Sequence, residues 1–235
     1  YFGFRRLVQE SGLQVAGKKV LVLGSGGASS TAVAVLQELG AKVTVISRSG
    51  ENNYENLDRH ADAAVIANTT PVGMYPNTGK SALSLEGVLD AVYNPARTQI
   101  LLDAERRGLA AVNGLWMLVA QAKESAEWFT GEEIPDSRIA KIHHALRLQM
   151  ENIILIGMPG CGKTAVGQQL AQKLGKKFVD ADESLEARVC RKITDIIPND
   201  GEAAFREMES ETLAELGKQS GLVIATGGGC VTQPQ

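Results

Sequence analysis

The stretch of this chain that most constrains its fold is Asn152-Ile-Ile-Leu-Ile-Gly-Met-Pro-Gly-Cys-Gly-Lys-Thr164. Its apolar run, residues 153–156, predicts a short buried strand, and Gly157-x-x-x-x-Gly162-Lys163-Thr164 meets the P-loop pattern in full. Those residue types serve one chemistry. Glycines let the backbone turn tightly enough for successive N–H groups to converge on phosphate oxygens, and the following helix, residues 165–174, adds its positive end. Lys163 brings a point charge to the β- and γ-phosphates, which makes it a catalytic candidate, and the Thr164 hydroxyl suits Mg²⁺. The nucleotide-binding set is Gly157, Gly160, Cys161, Gly162, Lys163 and Thr164. A P-loop opens its own α/β domain, so the residues before it form a separate one.

Upstream, Phe4, Leu7 and Val8 recur at helical spacing, Gly17 breaks the pattern, and Lys19-Val-Leu-Val-Leu23 predicts a strand. Gly24-Ser-Gly26-Gly27-Ala-Ser29 follows, then a helix to Leu39, a stop at Gly40 and a second strand, Lys42-Val-Thr-Val-Ile-Ser47. Such a βαβ unit lays a pyrophosphate on a helix N-terminus, here with Gly24, Ser25, Gly26, Gly27 and Ala28 as the cradle. Ser29 stands where the fingerprint has Gly or Ala. An NAD site places a carboxylate at the end of the second strand; Ser47-Arg48-Ser49 stands there instead. Arginine with flanking hydroxyls suits a 2′-phosphate, which favours NADP(H).

Residues 62–68 predict a third strand running into Thr69-Thr-Pro-Val-Gly-Met-Tyr-Pro76, a loop at the strand's carboxyl end, where doubly wound sheets bind ligands. Residues 87–95 read as a strand into a turn, 98–107 as a helix stopped by Gly108, and 113–129 as a longer helix ended by Thr130-Gly131. Pro135-Asp136-Ser137 starts another helix, with Ile139, Ile142, Leu146 and Met150 along one face, leading directly to the P-loop strand. His143 and His144 point in different directions from that helix and read as solvated, and His60 reads as isolated.

Residues 1–148 resemble the C-terminal, NADP-binding part of shikimate dehydrogenase. The resemblance is carried by the 24–29 turn, Ser47-Arg48-Ser49, Asn68-Thr-Thr-Pro-Val-Gly-Met74, Asp90-Ala-Val-Tyr-Asn-Pro95 and Asn113-Gly-Leu-Trp-Met-Leu-Val-Ala-Gln121. It implies that Asn68, Thr69, Val72 and Met117 lie near the nicotinamide, and that Tyr93 and Gln121 face shikimate. Without it, Tyr93 is a tyrosine capping a strand and Gln121 a surface amide. The family's N-terminal substrate domain, with the lysine and aspartate that handle protons, has no counterpart in these residues. The expectation is therefore NADP(H) binding with negligible shikimate oxidation by these 235 residues.

After the P-loop helix, Lys176-Lys-Phe-Val-Asp-Ala-Asp182 reads as a strand ending in two carboxylates that share a face. Residues 193–197 and 201–216 are helical, Leu222-Val-Ile-Ala-Thr226 is a strand, and Gly227-Gly228-Gly229 brings bare backbone close to something bound. Residues 151–235 resemble shikimate kinase through residues 157–164, Asp180-Ala-Asp182, Gly201-Glu-Ala-Ala-Phe-Arg206 and Ala225-Thr-Gly-Gly-Gly229. The resemblance implies that Asp182 binds shikimate hydroxyls and orients the 3-OH, a catalytic role. Arg206 takes the carboxylate through its fork, Gly228 and Gly229 underlie the ring, and Asp180 assists Mg²⁺ with Thr164. The family's lid and later strands lie beyond Gln235, so about three strands of a five-stranded sheet are expected.

The fold class is therefore α/β: a Rossmann-like doubly wound parallel sheet, then a partial P-loop NTPase-type domain. The chain looks like the fused middle of an enzyme reducing 3-dehydroshikimate with NADPH and phosphorylating shikimate with ATP. The alternatives are a catalytically silent nucleotide-binding or assembly module and a P-loop kinase for another small metabolite. A net charge of −3 excludes a general attraction to nucleic acid or anionic membrane. Three cysteines without metal-ligand spacing suit reduced thiols in the cytoplasm.

Overall fold

The computed structural model describes residues 1–70 and 85–230. The chain divides into two compact units, Tyr1–Ala145 and Leu146–Gln235. Val72 and most of its proline-containing loop lie outside the described residues.

The first unit runs α1 (Phe2–Glu10), β1 (Lys19–Leu23), α2 (Gly27–Glu38), β2 (Lys42–Ile46), a 3-10 turn (Leu57–His60) and β3 (Val65–Asn68). It continues with β4 (Gly87–Asp90), α3 (Gln99–Arg106), β5 (Ala110–Val112), α4 (Leu115–Thr130) and the start of α5 (Ser137–Met150). All strand pairings are parallel, in the order β2-β1-β3-β4-β5. Parallel sheets are covered on both faces, and β1 shows how: Val20 and Val22 enter one buried cluster with Leu7, Val35 and Leu36. Leu21 and Leu23 enter the other, with Ile46, Ile66 and Ile100. Burying an aliphatic side chain of this size contributes roughly 1.5–3 kcal/mol, so a charge on either face of β1 is strongly unfavourable. The chain reverses direction across the sheet between β1 and β3, which opens a crevice at their carboxyl ends.

Two expectations need correction here. Residues 110–112, not anticipated as a strand, pair with β4, because a neighbouring strand can recruit even a short run. His143 is not solvated: its ring stacks on Trp116 at 3.7 Å between centroids, 9° from parallel.

The second unit holds β6 (Ile153–Leu155), α6 (Lys163–Leu174), β7 (Lys177–Asp180), α7 (Ala181–Val189), α8 (Ile193–Asp200), α9 (Glu202–Gly217) and β8 (Leu222–Ala225). The sheet is parallel and, among the described residues, three-stranded, in the order β6-β8-β7. β8 is buried throughout. The P-loop strand β6 is not the buried strand expected: it ends at Leu155 and lies at the edge of the sheet, covered on one side only by β8, so Ile154 and Ile156 are 58% and 61% exposed. Leu185, Ile196 and Phe205 pack α7, α8 and α9 together. Asn152 closes the sheet's start, its amide donating to the Gln219 carbonyl and its Oδ1 accepting from the Leu222 N–H.

Two candidate nucleotide sites

In the first unit the cradle follows β1. Gly24 has φ +111°, and a Cβ there would lie 3.0 Å from Thr69 Oγ1, so only glycine fits. Gly26 caps α2 without a side-chain hydrogen bond, and around Gly26 and Gly27 an added Cβ would meet open space. The helix N-terminus with Ser25 and Ala28 is thus exposed and ready for an anion, which fits a dinucleotide pyrophosphate. Ser29, the departure from the fingerprint, is buried and donates its hydroxyl to the Gly24 carbonyl, pinning the turn from within. Ser47, Arg48 and Ser49 follow directly from the neighbouring strand, whose Ile46 carbonyl accepts from the Gly24 N–H. Arg48 is exposed and, among the described residues, has no ion-pair partner.

Asn68, at the end of β3, is buried. Its Oδ1 accepts from both the N–H and the hydroxyl of Thr70, and its Nδ2 donates to Asp90 Oδ1 at 3.0 Å. Thr69 donates its hydroxyl to the Leu23 carbonyl. Asp90 is the hub that sequence reasoning passed over. Fully buried, it also accepts from the Val92 N–H and the Thr98 hydroxyl, so it ties both ends of the loop that carries Tyr93. Burial pushes the Asp90 carboxyl above its ordinary range, against the opposing pull of these donors. A carboxylate closing the apolar run Gly87-Val-Leu-Asp90 was the available signal. Tyr93 is 41% exposed. Met117 packs on the core and against Gly3 of α1, and Gln121 stands exposed one helical turn further along α4.

In the second unit three loops leave the same sheet edge, because Leu155 and Asp180 both align with Ala225 in register. The first is the P-loop, where Gly157, Gly160 and Gly162 take φ values of +151°, +73° and +87°. Lys163 Nζ folds back on the loop, 2.9 Å from the Gly157 carbonyl and 3.0 Å from that of Met158. Cys161 is exposed in the same loop, with Sγ 4.0 Å from that ammonium. Thr164 Oγ1 lies 3.1 Å from Asp180 Oδ2, a pair of hard oxygen donors that fits Mg²⁺. Among the described residues no cluster of three or more His, Cys, Asp or Glu could hold a metal, so phosphate oxygens and water would complete the shell.

The second loop departs from expectation. Asp180 and Asp182 do not share a strand face: β7 stops at Asp180, whose Oδ1 accepts from the Asp182 N–H and caps α7. Asp182 therefore stands in the first turn of a helix. Burial raises its carboxyl above the usual range, and the nearby Asp180 and Glu209 raise it further, with Lys163 opposing.

The glycines after β8 make the third loop, and their nearest neighbours are the protein's own side chains. A Cβ on Gly227 would sit 2.5 Å from Glu209 Oε1 and 2.9 Å from Asp182 Oδ1. On Gly228 it would sit 2.4 Å from Pro159 of the P-loop, and on Gly229 2.3 Å from Arg206 Nη1. The structure thus brings Asp182, Arg206, Gly228 and Gly229 together with the P-loop. Glu209 is the residue that sequence reasoning missed. It is buried, its Oε2 takes a hydrogen bond from Arg206 at 3.0 Å, and its Oε1 is buried and, among the described residues, has no hydrogen-bond partner. Glu209 and then Glu202 hold the guanidinium charged and in place, packed closely against Gly229. The i, i+3 spacing of Arg206 and Glu209 was the signal, but helical surfaces carry many such pairs.

A cleft of about 550 Å³ lies elsewhere, at the amino ends of β1 and β2, lined by Lys18, Lys19, Lys42 and Asp62. Lys18 pairs with Glu86 and Lys19 with Asp62, and no motif reaches this cleft.

Fold and turn geometry together define a protein of two α/β units, a Rossmann-like parallel sheet followed by a P-loop unit. Residues 159–235 match the shikimate kinase family model. The shikimate dehydrogenase (NADP(+)) of Clostridium perfringens strain SM101 is 32% identical over 167 residues, covering 63% of this chain and 62% of that protein. The shikimate kinase of Synechococcus sp. strain CC9605 is 46% identical over 89 residues, covering 38% of this chain and 45% of the relative. The crystal structure of shikimate dehydrogenase 1 from Peptoclostridium difficile superposes with a TM-score of 0.55 at 34% identity, covering 63% of this chain and 60% of that one. Homologues of shikimate dehydrogenase thus cover the N-terminal part and homologues of shikimate kinase the C-terminal part, as in a fusion of the two. The chain spans less than two thirds of the length of the relatives it matches.

Proposed function

We propose that this chain is the central part of a bifunctional enzyme. One activity reduces 3-dehydroshikimate to shikimate with NADPH, and the other phosphorylates the shikimate 3-hydroxyl with ATP. The carrying observation is the sheet edge where the P-loop, the Asp180–Asp182 turn and Gly227–Gly229 converge, beside an arginine fork held by a buried glutamate.

In the kinase half, Lys163 and the P-loop amides hold the nucleotide phosphates, and Arg206 orients the substrate through its carboxylate. Asp182, with its carboxyl raised, takes the proton from the attacking hydroxyl as that oxygen bonds to the γ-phosphorus and ADP leaves. Thr164 and Asp180 would hold Mg²⁺, which supplies charge neutralisation on the transferring phosphoryl group. In the dehydrogenase half, bound NADPH supplies the hydride. Gly24, Ser25, Gly26, Gly27 and Ala28 hold its pyrophosphate, and Ser47, Arg48 and Ser49 its 2′-phosphate. Asn68, Thr69 and Met117 border the nicotinamide, while Tyr93 and Gln121 face the substrate. We place the boundary between the two family-like domains at residues 148–151, at the end of α5 and a few residues after the compact units divide at Ala145 and Leu146, and assign a cytoplasmic location, in keeping with free Cys161, Cys190 and Cys230. No described helix is long and apolar enough to cross a membrane.

Calorimetric titration tests this reading. NADP⁺ should bind more tightly than NAD⁺, ATP·Mg²⁺ should bind independently, and shikimate should give heat only with the second unit's site intact. Absence of ATP·Mg²⁺ binding would overturn the kinase half, and absence of NADP⁺ binding the dehydrogenase half.

A further inference from the structure

The first unit contains a buried histidine that neither the sequence motifs nor the proposed reaction uses. His60 is 8% exposed, at the end of the 3-10 turn, beside Leu57 in the core. Its Nε2 lies 3.2 Å from Asn52 Oδ1, while its Nδ1 is buried and, among the described residues, has no hydrogen-bond partner. An oxygen opposite Nε2 requires that nitrogen to carry the proton, which leaves Nδ1 bare, and this is the neutral imidazole. Burial, then Lys19, lowers the His60 pKa, opposed by Asp62 and reinforced by Arg59, so the neutral form persists near pH 7.

The partner of His60 is what gives it meaning. The main-chain carbonyl of Asn52 accepts from the Ser47 N–H at 3.1 Å, closing a tight loop over residues 47–52. So tight is this loop that a Cβ on Gly50 would stand 2.6 Å from Ser47 Oγ. The next turn is stitched by side-chain amides, with Asn56 bonding the Asn53 N–H and the Glu51 carbonyl. Arg48 rides on this loop, exposed and without an ion pair among the described residues. The Asn52 side chain thus joins the loop carrying the charge for a 2′-phosphate to the buried His60 ring.

We propose that His60, acting through Asn52, sets the dinucleotide selectivity of this unit by holding the 47–52 loop so that Arg48 and its flanking hydroxyls meet a 2′-phosphate. The proposal rests on the reading of this unit as an NADP(H) site. His60 is a positioning residue; it touches no part of the nucleotide. A guanidinium on a loosened loop still attracts phosphate, but without the orientation that a fork-like contact needs. The 2′-phosphate is the only chemical difference between NADP⁺ and NAD⁺, so the ratio of their affinities isolates this contact from general damage to the cradle.

The test is calorimetric titration of the full chain with NADP⁺ and with NAD⁺, for the parent, Asn52→Ala, His60→Ala and His60→Gln. NADP⁺ affinity should fall about tenfold in the two alanine variants while NAD⁺ affinity is unchanged. His60→Gln, whose amide N–H takes the place of Nε2–H, should restore the parent ratio. In an Arg48→Ala background, Asn52→Ala should leave the ratio where Arg48→Ala alone has put it. Because His60 is buried and its alanine variant can lose fold, half-buried Asn52 gives the second, independent arm. Equal weakening of both dinucleotides, or an unchanged ratio in Asn52→Ala, overturns the proposal while the NADP reading stands. A parent chain that binds neither dinucleotide, or does not prefer NADP⁺, overturns the underlying reading and the proposal with it.

Discussion

Asp90 offers the sharpest test of how the first site is held together. Asp90→Ala removes one acceptor that serves three donors, Asn68 Nδ2, the Val92 N–H and Thr98 Oγ1. Asn68 and Thr98 are each 3% exposed, so water does not replace the lost partner. A buried donor left unsatisfied costs about 1–3 kcal/mol, and partial relaxation brings the total to roughly 3–5 kcal/mol. For a unit of this size that lowers Tm by roughly 10 °C or more. Asp90→Asn behaves differently. Its oxygen accepts from Asn68 and Val92 and its amide donates to the Thr98 hydroxyl, so the cost is about 1 kcal/mol or less. Both tryptophans, Trp116 and Trp128, lie in the first unit, so thermal and urea unfolding followed by tryptophan fluorescence reads this unit alone. The reasoning fails if Asp90→Ala unfolds within about 0.5 kcal/mol of the parent, or if the asparagine variant is as damaged as the alanine one. A pH series adds a sign. Burial raises the folded-state carboxyl above its ordinary 3.8, so the folded state holds the proton more tightly. Its stabilising contribution is fully present below the unfolded pKa and is lost as pH rises through the raised folded value. Asparagine copies the protonated form, so the parent's advantage over Asp90→Asn should shrink from about pH 4 upward.

Lys163→Ala should weaken ATP·Mg²⁺ binding at least about tenfold by calorimetry, and ATP should slow alkylation of exposed Cys161 in the parent but not in that variant. Gly167→Ala should destabilise the second unit, because its Cβ would stand 2.5 Å from Phe178 Cε2 and 3.0 Å from Leu155 Cδ1. Overpacking of about 1–3 kcal/mol outweighs a helix-propensity gain of about 1 kcal/mol, and a raised melting temperature by circular dichroism would contradict that balance. The exposed edge at Ile154 and Ile156 should make the second unit melt first, giving an early far-UV transition that tryptophan fluorescence does not see; coincident transitions would refute it.

Both glycine turns were legible without coordinates because each is a contiguous run of backbone. A strand, a glycine turn and a helix start lie side by side in sequence, and their chemistry follows from φ freedom and exposed N–H groups. Lys19–Leu23 and Ile153–Leu155 were legible for the same local reason, an apolar run bounded by turn residues. The supports of each site were not. Asp90 meets Thr98 and Asn68 across a loop and a neighbouring strand, and Glu209 meets Gly227 from a helix and a strand end. No local period encodes such meetings. The Asp180–Asp182 pair shows where local reading fails: alternation predicted a shared strand face, but the Asp180 carboxylate found a helix N–H to cap and ended the strand.

The sequence by itself determined that two glycine turns, each between a strand and a helix, exist, and that parallel sheets carry them, because period and turn chemistry are short-range properties. Only the tertiary structure decided which buried groups hold the surrounding residues still: Asp90 under Asn68, His60 under the Arg48 loop, Glu209 behind Arg206. Each is a polar group whose partner is supplied by another segment, and the strand order β2-β1-β3 and β6-β8-β7 that sets those partners is a property of the folded chain.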